Sequence, residues 1–307
     1  MRFIIWPSTA RPWPEILELA RHCEATGWDG VYLADHFMPH GDFTPGVDDS
    51  LPLDGDKLEC WSVLAALAAL VPRLRLGTLV SSVTFRHPAV LANIAAAVDN
   101  ISGGRLVLGI GAGWQLNEHL AYGIELGTIA ERLDRFEEAC EVIGSLLHER
   151  STTFSGDYYR IADAPNQPAP VHAHLPLLIG GSGEKRTLKI AARYADIWNS
   201  WSTPDVLAAK LRVLHGHCEA IGRDPRTIDV STQALLFLSK DEAWLSTKRD
   251  VAPGRSIVGT PSEVTDIVQR YREVGAMELV IPDSMEPLDS WKETCDLFIN
   301  EVASQLR

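Results

Sequence analysis

The sequence predicts an α/β protein in which eight parallel strands close into a (β/α)8, or TIM, barrel. Three observations point there. Eight short apolar runs recur along the 307 residues. Most are continuously apolar rather than alternating, as strands covered on both faces are. The segments between them carry helical periodicity. A doubly wound open sheet is the alternative, but it usually needs fewer strands and a switch in strand order. No internal repeat, low-complexity stretch or linker interrupts the pattern, so one barrel domain spanning 1–307 is expected.

The strand-like runs cover residues 2–8, 29–37, 74–83, 105–113, 176–183, 195–201, 228–238 and 277–284. Between the third and fourth, Pro88 suits the first turn of a helix whose stripe is Val90, Ile94, Val98 and Ile101, and Gly103-Gly104 ends it. Leu133, Phe136, Cys140, Ile143 and Leu147 mark a long amphipathic helix before the fifth. Pro261 opens a helix ending near Gly275, and Trp291, Cys295, Phe298 and Val302 form the last stripe. Three stretches exceed normal loop length and are expected as insertions after strands 2, 4 and 7: residues 38–57, 152–175 and 239–257. The middle one contains a hairpin signal at 154–159 followed by a proline-rich return.

Composition narrows the function. With 46% apolar and 22% charged residues the chain is not disordered, and 41 acids against 28 bases give a net charge of −13. Nothing supplies the basic surface a nucleic acid demands, so no nucleic-acid partner is expected. The longest apolar run, Val63 to Val71, is closed by Pro72 and is too short for a membrane span. Pro7 stops the N-terminal apolar run before a signal-peptide core. The five cysteines are odd in number, far apart and without a Cys-x-x-Cys, which reads as buried free thiols in a cytoplasmic protein.

A barrel places its chemistry just after the strands, at the C-terminal mouth. The residues there are small, glycine-rich, polar and aromatic. Gly111, Gly113, Gly180 and Gly181 permit close backbone approach, and Trp6, Trp114, Trp198 and Trp201 supply apolar walls for a small-molecule substrate. That surface suits a flat ring ligand. Gly180-Gly181-Ser182-Gly183 leads into Glu184-Lys185-Arg186, which reads as a helix start with N–H groups for a phosphate. A plain strand-to-helix turn is the competing account. Gly109-x-Gly111-x-Gly113 lacks the βαβ context of a dinucleotide fingerprint. His36 is the sharpest proton carrier, since imidazole exchanges protons near neutrality, and Asp35 could orient a partner or accept a proton. A hydrogen-bonded structural histidine is the bland reading. His215 and His217 sit two apart on a helix, and His172 and His174 precede the fifth strand at the wrong end of a barrel, so no catalytic metal is expected.

The strings at 27–37, 74–92, 101–118 and 176–199 together resemble the bacterial luciferase-like superfamily, and in particular its branch using the deazaflavin coenzyme F-420 (F420). The resemblance covers nearly the whole chain. It implies a luciferase-like barrel with the coenzyme at the mouth, and hydride transfer to or from a small organic substrate. It implies a proton-transfer role for His36 beside Asp35, and a non-prolyl cis peptide at Leu79-Val80 against the ring's back face. Coenzyme contact is implied for Asn117, and phosphate binding for Ser182 and Gly183. Sugar-phosphate dehydrogenases of this family carry a glutamate where Trp114 stands and a lysine shortly after strand six, where this chain reads Asn-Ser-Trp-Ser-Thr-Pro. Both departures count against a phosphorylated sugar substrate, and the bulky apolar Trp114 suggests a less polar one. A reduced-FMN monooxygenase is the second enzymatic reading, and a carrier that binds flavin without turnover is a third. The family also implies a homodimer.

Overall fold

The computed structural model describes residues 1–39 and 53–307. Its strands are β1 (Arg2–Trp6), β2 (Gly30–Leu33), β3 (Arg75–Thr78), β4 (Ser81–Ser82), β5 (Leu106–Gly111), β6 (Ser151–Ser155), β7 (Arg160–Pro165), β8 (Leu177–Gly180), β9 (Ile197–Trp201), β10 (Asp229–Gln233), β11 (Leu235–Leu238), β12 (Ser256–Gly259) and β13 (Glu278–Pro282). Eight of these, in the order β3-β2-β1-β13-β10-β9-β8-β5, form a parallel sheet, and pairing of β3 with β5 closes it into a barrel. The α-helices are α1 (Trp13–Thr26), α2 (Cys60–Leu70), α3 (Pro88–Ser102), α4 (Leu116–Tyr122), α5 (Ile129–His148), α6 (Thr187–Tyr194), α7 (Pro204–Ala220), α8 (Glu242–Ser246), α9 (Pro261–Glu273) and α10 (Leu288–Glu301), and short 3-10 turns at Pro225–Thr227 and Ala303–Gln305 complete the described elements.

Local chemistry accounts for the boundaries. Proline occupies the first turn of α1, α3, α7 and α9. Thr128 with Glu131, and Thr260 with Glu263, close capping boxes on α5 and α9. Gly103 ends α3 with φ +72°, a left-handed conformation that favours glycine.

Strand alternation divides the barrel's apolar residues into two cores. Ile4, Tyr32, Val107, Leu178, Ile197 and Val280 fill the interior with Leu79, and Trp6 and Val80 pack onto them. The residues between them point outward and join the larger core under the helices. Buried Glu278 accepts hydrogen bonds from Arg2 Nε (3.2 Å), Tyr32 Oη (3.1 Å) and Ser231 Oγ (2.9 Å). This satisfies a charge that would otherwise be costly inside a barrel.

The insertions take three forms. Residues 40–52, most of the first, lie outside the described residues. The second contains the antiparallel hairpin β6–β7, whose turn is fastened to α5 because Glu138 accepts the N–H groups of Asp157, Tyr158 and Tyr159. The third is more ordered than the sequence reading allowed. The apolar run 228–238 is not one strand: β10 ends at Gln233, and β11 leaves the barrel to pair in parallel with β12. All five cysteines are buried, free and helical. No helix among the described residues is long and apolar enough to cross a membrane.

Candidate active site

The mouth is organised around a bulge. Gly77 pairs with Val107, but Ser81 pairs with Ile110, so β3 and β4 carry one more residue than β5 over the same span. The Leu79-Val80 peptide in this step is cis. Thr78 Oγ1 donates to Gly109 O (2.7 Å) and accepts from Gly109 N (2.9 Å), which locks the bulge to β5. Leu79 drops into the interior cluster and Val80 lies over it. The glycines explain how Val80 fits. A Cβ on Gly111 would come within 2.7 Å of Val80, and one on Gly180 within 2.9 Å. Gly111 and Gly180 therefore admit the Val80 side chain first; approach of a ligand is a second use of the same space.

On the neighbouring strand, His36 follows β2, which pairs with β3. Its Nδ1 lies 2.7 Å from Glu118 Oε1, and the other oxygen of Glu118 accepts the Phe37 N–H at 2.8 Å. The His36 ring meets Trp114 edge-on at 5.6 Å, and Trp114 is half exposed. Glu118 is fully buried in the first turn of α4.

Asp35 goes elsewhere. Alternation sends its carboxylate outward, where both oxygens accept from Arg86, which also pairs with Glu59 at 2.6 Å. Burial pushes the Asp35 carboxyl above its ordinary range, with the Arg86 charge opposing. Asp35 is thus a buried ion-pair member that holds Arg86, the partner-orienting one of the two roles open to it from the sequence. Asn117 also departs from expectation. It is buried, its Nδ2 donates to Pro39 O (3.0 Å), and its Oδ1 accepts from Gln115 Nε2 (2.8 Å) and Glu118 N (2.7 Å). The nitrogen end of the amide ties α4 to the chain after β2, and the oxygen end accepts within the start of α4.

The turn after β8 is exposed at Gly181, Ser182 and Gly183. Gly181 has φ +127°, and a Cβ there or on Gly183 would press on Thr187, at 3.0 and 2.9 Å. Residues 184–186 form a turn, and the helix starts only at Thr187. Arg186 is held by Asp134 (2.6 Å), whereas Lys185 is exposed. Trp198 braces this turn from behind. Because Ile197 faces the interior, Trp198 faces the helices, fully buried, and its Nε1 donates to Gly181 O at 2.8 Å. It does not line the mouth, contrary to expectation. Trp6 and Trp201 do meet, with centroids 6.3 Å apart. Trp201 is fixed by donation to Arg255 O (3.0 Å). Gly113, with φ +83°, lies against Ser82 and Thr84, where a Cβ would come within 2.5 Å of Ser82 Oγ.

Two residues here were not singled out from the sequence. Glu118 lies in a seven-residue helix too short for a periodic signal. Gln233 pairs with Trp201 on one side and Val280 on the other, so it shares their inward face. Its Oε1 is buried without a hydrogen-bond partner.

With that geometry in hand, the relatives are informative. A family model described as luciferase-like monooxygenase matches residues 1–248. An F420-dependent glucose-6-phosphate dehydrogenase of Kineococcus radiotolerans is 32% identical over 268 residues, covering 84% of this chain and 74% of that protein. One of the same description from Microbacterium testaceum is 34% identical over 200 residues, 64% of this chain, but the match spans only 56% of that protein. Among solved structures, an F420-dependent secondary alcohol dehydrogenase in complex with an F420-acetone adduct superposes with a TM-score of 0.83 over 99% of both chains, at 20% identity, which speaks to the fold alone. A closed parallel barrel, a cis bulge after its third strand and a family match over four-fifths of its length place this chain in the luciferase-like monooxygenase family.

Proposed function

We propose that the protein is an oxidoreductase that transfers a hydride between F420 and a small, weakly polar organic substrate at the barrel mouth. The observation that carries this reading is the placement of a buried-carboxylate-held histidine, His36, at the same mouth as the Val80 bulge. The residues present fit such a coenzyme. A side chain on Gly181 or Gly183 would crowd the turn that could hold a phosphate, and the orphaned Gln233 oxygen is an acceptor still in want of a donor. When bound, F420 would supply the two-electron redox step.

The protein's own part is positional and protonic. Leu79 and Val80 form an apolar back wall. Ser182 and Gly183, with Lys185 near, hold the anionic tail. Trp6, Trp114 and Trp201 exclude water and accept an apolar substrate body. His36 takes or gives the proton that accompanies oxidation or reduction. The relatives described as F420-dependent support the coenzyme, but Trp114 and the lysine-free stretch after β9 favour a substrate other than a sugar phosphate.

The second reading, a reduced-FMN monooxygenase, draws on the description of the matching family. Titration of the purified protein with F420 and FMN, each oxidised and reduced, separates the two. The first reading expects tight F420 binding and weak FMN binding; tight FMN binding with none of F420 contradicts it. A homodimer belongs to the same proposal, supported by Val90 and Ile101 standing exposed on α3. Five buried free thiols support a reducing, cytoplasmic setting.

A further inference from the structure

We propose that Glu118 is a positioning residue that fixes His36 in the tautomer protonated at Nδ1, so that Nε2 is the atom that exchanges a proton with the substrate. This deepens the hydride-transfer reading and rests on it for its catalytic half alone.

The argument begins with the carboxylate. Glu118 stands in the first turn of α4, where the helix dipole favours negative charge. One oxygen already accepts a backbone N–H, from Phe37 at 2.8 Å. An ionised carboxylate has only acceptor capacity, so the 2.7 Å contact from its other oxygen to His36 Nδ1 requires the hydrogen to be on Nδ1. A neutral imidazole with Nδ1–H carries its lone pair on Nε2. The short separation is typical of a charge-assisted bond.

The surroundings hold this arrangement still. Glu118 grips ring and backbone of two consecutive residues, His36 and Phe37, at once. Trp114 packs against the ring edge-on. Helix α4 is itself tied to the chain after β2, through Gln115 to Met38 O and Asn117 to Pro39 O.

The step then balances as follows for an alcohol substrate. The C–H electron pair would leave as hydride, for which bound oxidised F420 would be the two-electron acceptor. The O–H bond breaks and an Nε2–H bond forms. The substrate becomes a carbonyl compound, and the imidazolium stands against the Glu118 carboxylate. Reduction runs the same transfers backwards.

Ring-nitrogen NMR on protein containing nitrogen-15 histidine, without any coenzyme, tests the tautomer directly, with Glu118→Ala and Glu118→Gln beside the parent protein. The parent should show His36 protonated at Nδ1 only, and both variants should gain the Nε2–H form. An unchanged tautomer in both variants overturns the proposal. If the alanine variant does not fold, the glutamine variant, which keeps the side chain's shape, decides alone. In the holoenzyme, losing Glu118 should lower kcat by about 10- to 100-fold with KM nearly unchanged. The double variant H36A/E118A should be no slower than H36A; a further loss of the same size would show Glu118 acting on the fold and not through His36, and would also overturn it. If no F420 turnover exists at all, the NMR result still stands or falls by itself, so the two readings fail separately.

Discussion

Val80 occupies the space that a side chain on Gly111 would need: a Cβ there would lie 2.7 Å from a Val80 methyl. A bulge on one strand is thereby seated by a glycine on the next. Gly111→Ala should displace Val80, costing about 1–3 kcal/mol of stability through overpacking. If Val80 backs the coenzyme ring, F420 affinity should fall by roughly tenfold, each such factor being about 1.4 kcal/mol. Calorimetric melting and fluorescence titration check the two effects. Unchanged affinity with lowered stability would remove Val80 from the binding site.

Asp35 and His36 are neighbours with opposite duties, and substitution should separate them. Asp35→Ala leaves Arg86 with Glu59 as its remaining partner, which should destabilise the fold by about 1–3 kcal/mol. The activity of the molecules that remain folded should change little. His36→Ala should show the reverse balance, with kcat lowered by about 10²–10⁴-fold and a smaller loss of stability, because Glu118 keeps the Phe37 N–H. Denaturant melts and steady-state assays on both variants give the comparison.

His119 supplies a pH dependence of stability. Its ring is buried, with Nδ1 donating to Gln115 O (2.6 Å) and Nε2 accepting from Thr84 Oγ1 (2.7 Å), an arrangement for the neutral form. Burial holds its pKa below the ordinary 6.5. The unfolded chain then binds the proton more readily than the folded one, so stability falls as pH drops through 6.5 and levels off below the folded-state value. His119→Asn should flatten the change in melting temperature between about pH 7 and pH 5. A slope equal to the parent's would show that His119 does not contribute.

Gln233 should display a trade between stability and binding. Its buried acceptor has no partner, which costs about 1–3 kcal/mol. Gln233→Leu removes that cost and should raise the melting temperature of the coenzyme-free protein while weakening F420 binding, seen as a higher Kd. A lower melting temperature would mean that the amide is needed for folding.

The barrel was legible because its strands are buried on both faces. The wholly buried β5, Leu106–Gly111, reads as a continuous apolar run, and its partners do likewise. What was not legible depends on contacts between distant parts of the chain. Nothing local marks Ala234 as the point where the strand leaves the barrel, because β11 is defined by β12, some twenty residues on. Glycines 111 and 180 stood out as site residues, but their reason, the Val80 side chain, lies on another strand. His36 was legible from its place after a strand. Glu118 was not, being 82 residues away and on a single short helix. Trp198 and Trp201 look alike in sequence, and only the inward or outward phase of β9 tells the brace from the wall.

The most direct test of the whole account is an anaerobic assay of the purified protein with oxidised F420 and a panel of weakly polar organic hydride donors, repeated with the reduced coenzyme and the corresponding oxidised compounds, following the coenzyme's visible absorbance. The account predicts loss of absorbance with at least one donor, its return with the oxidised partner, and a rate that collapses in His36→Ala. Silence with F420 in both directions, together with oxygen consumption and an oxygenated product when reduced FMN is supplied in air, would contradict it.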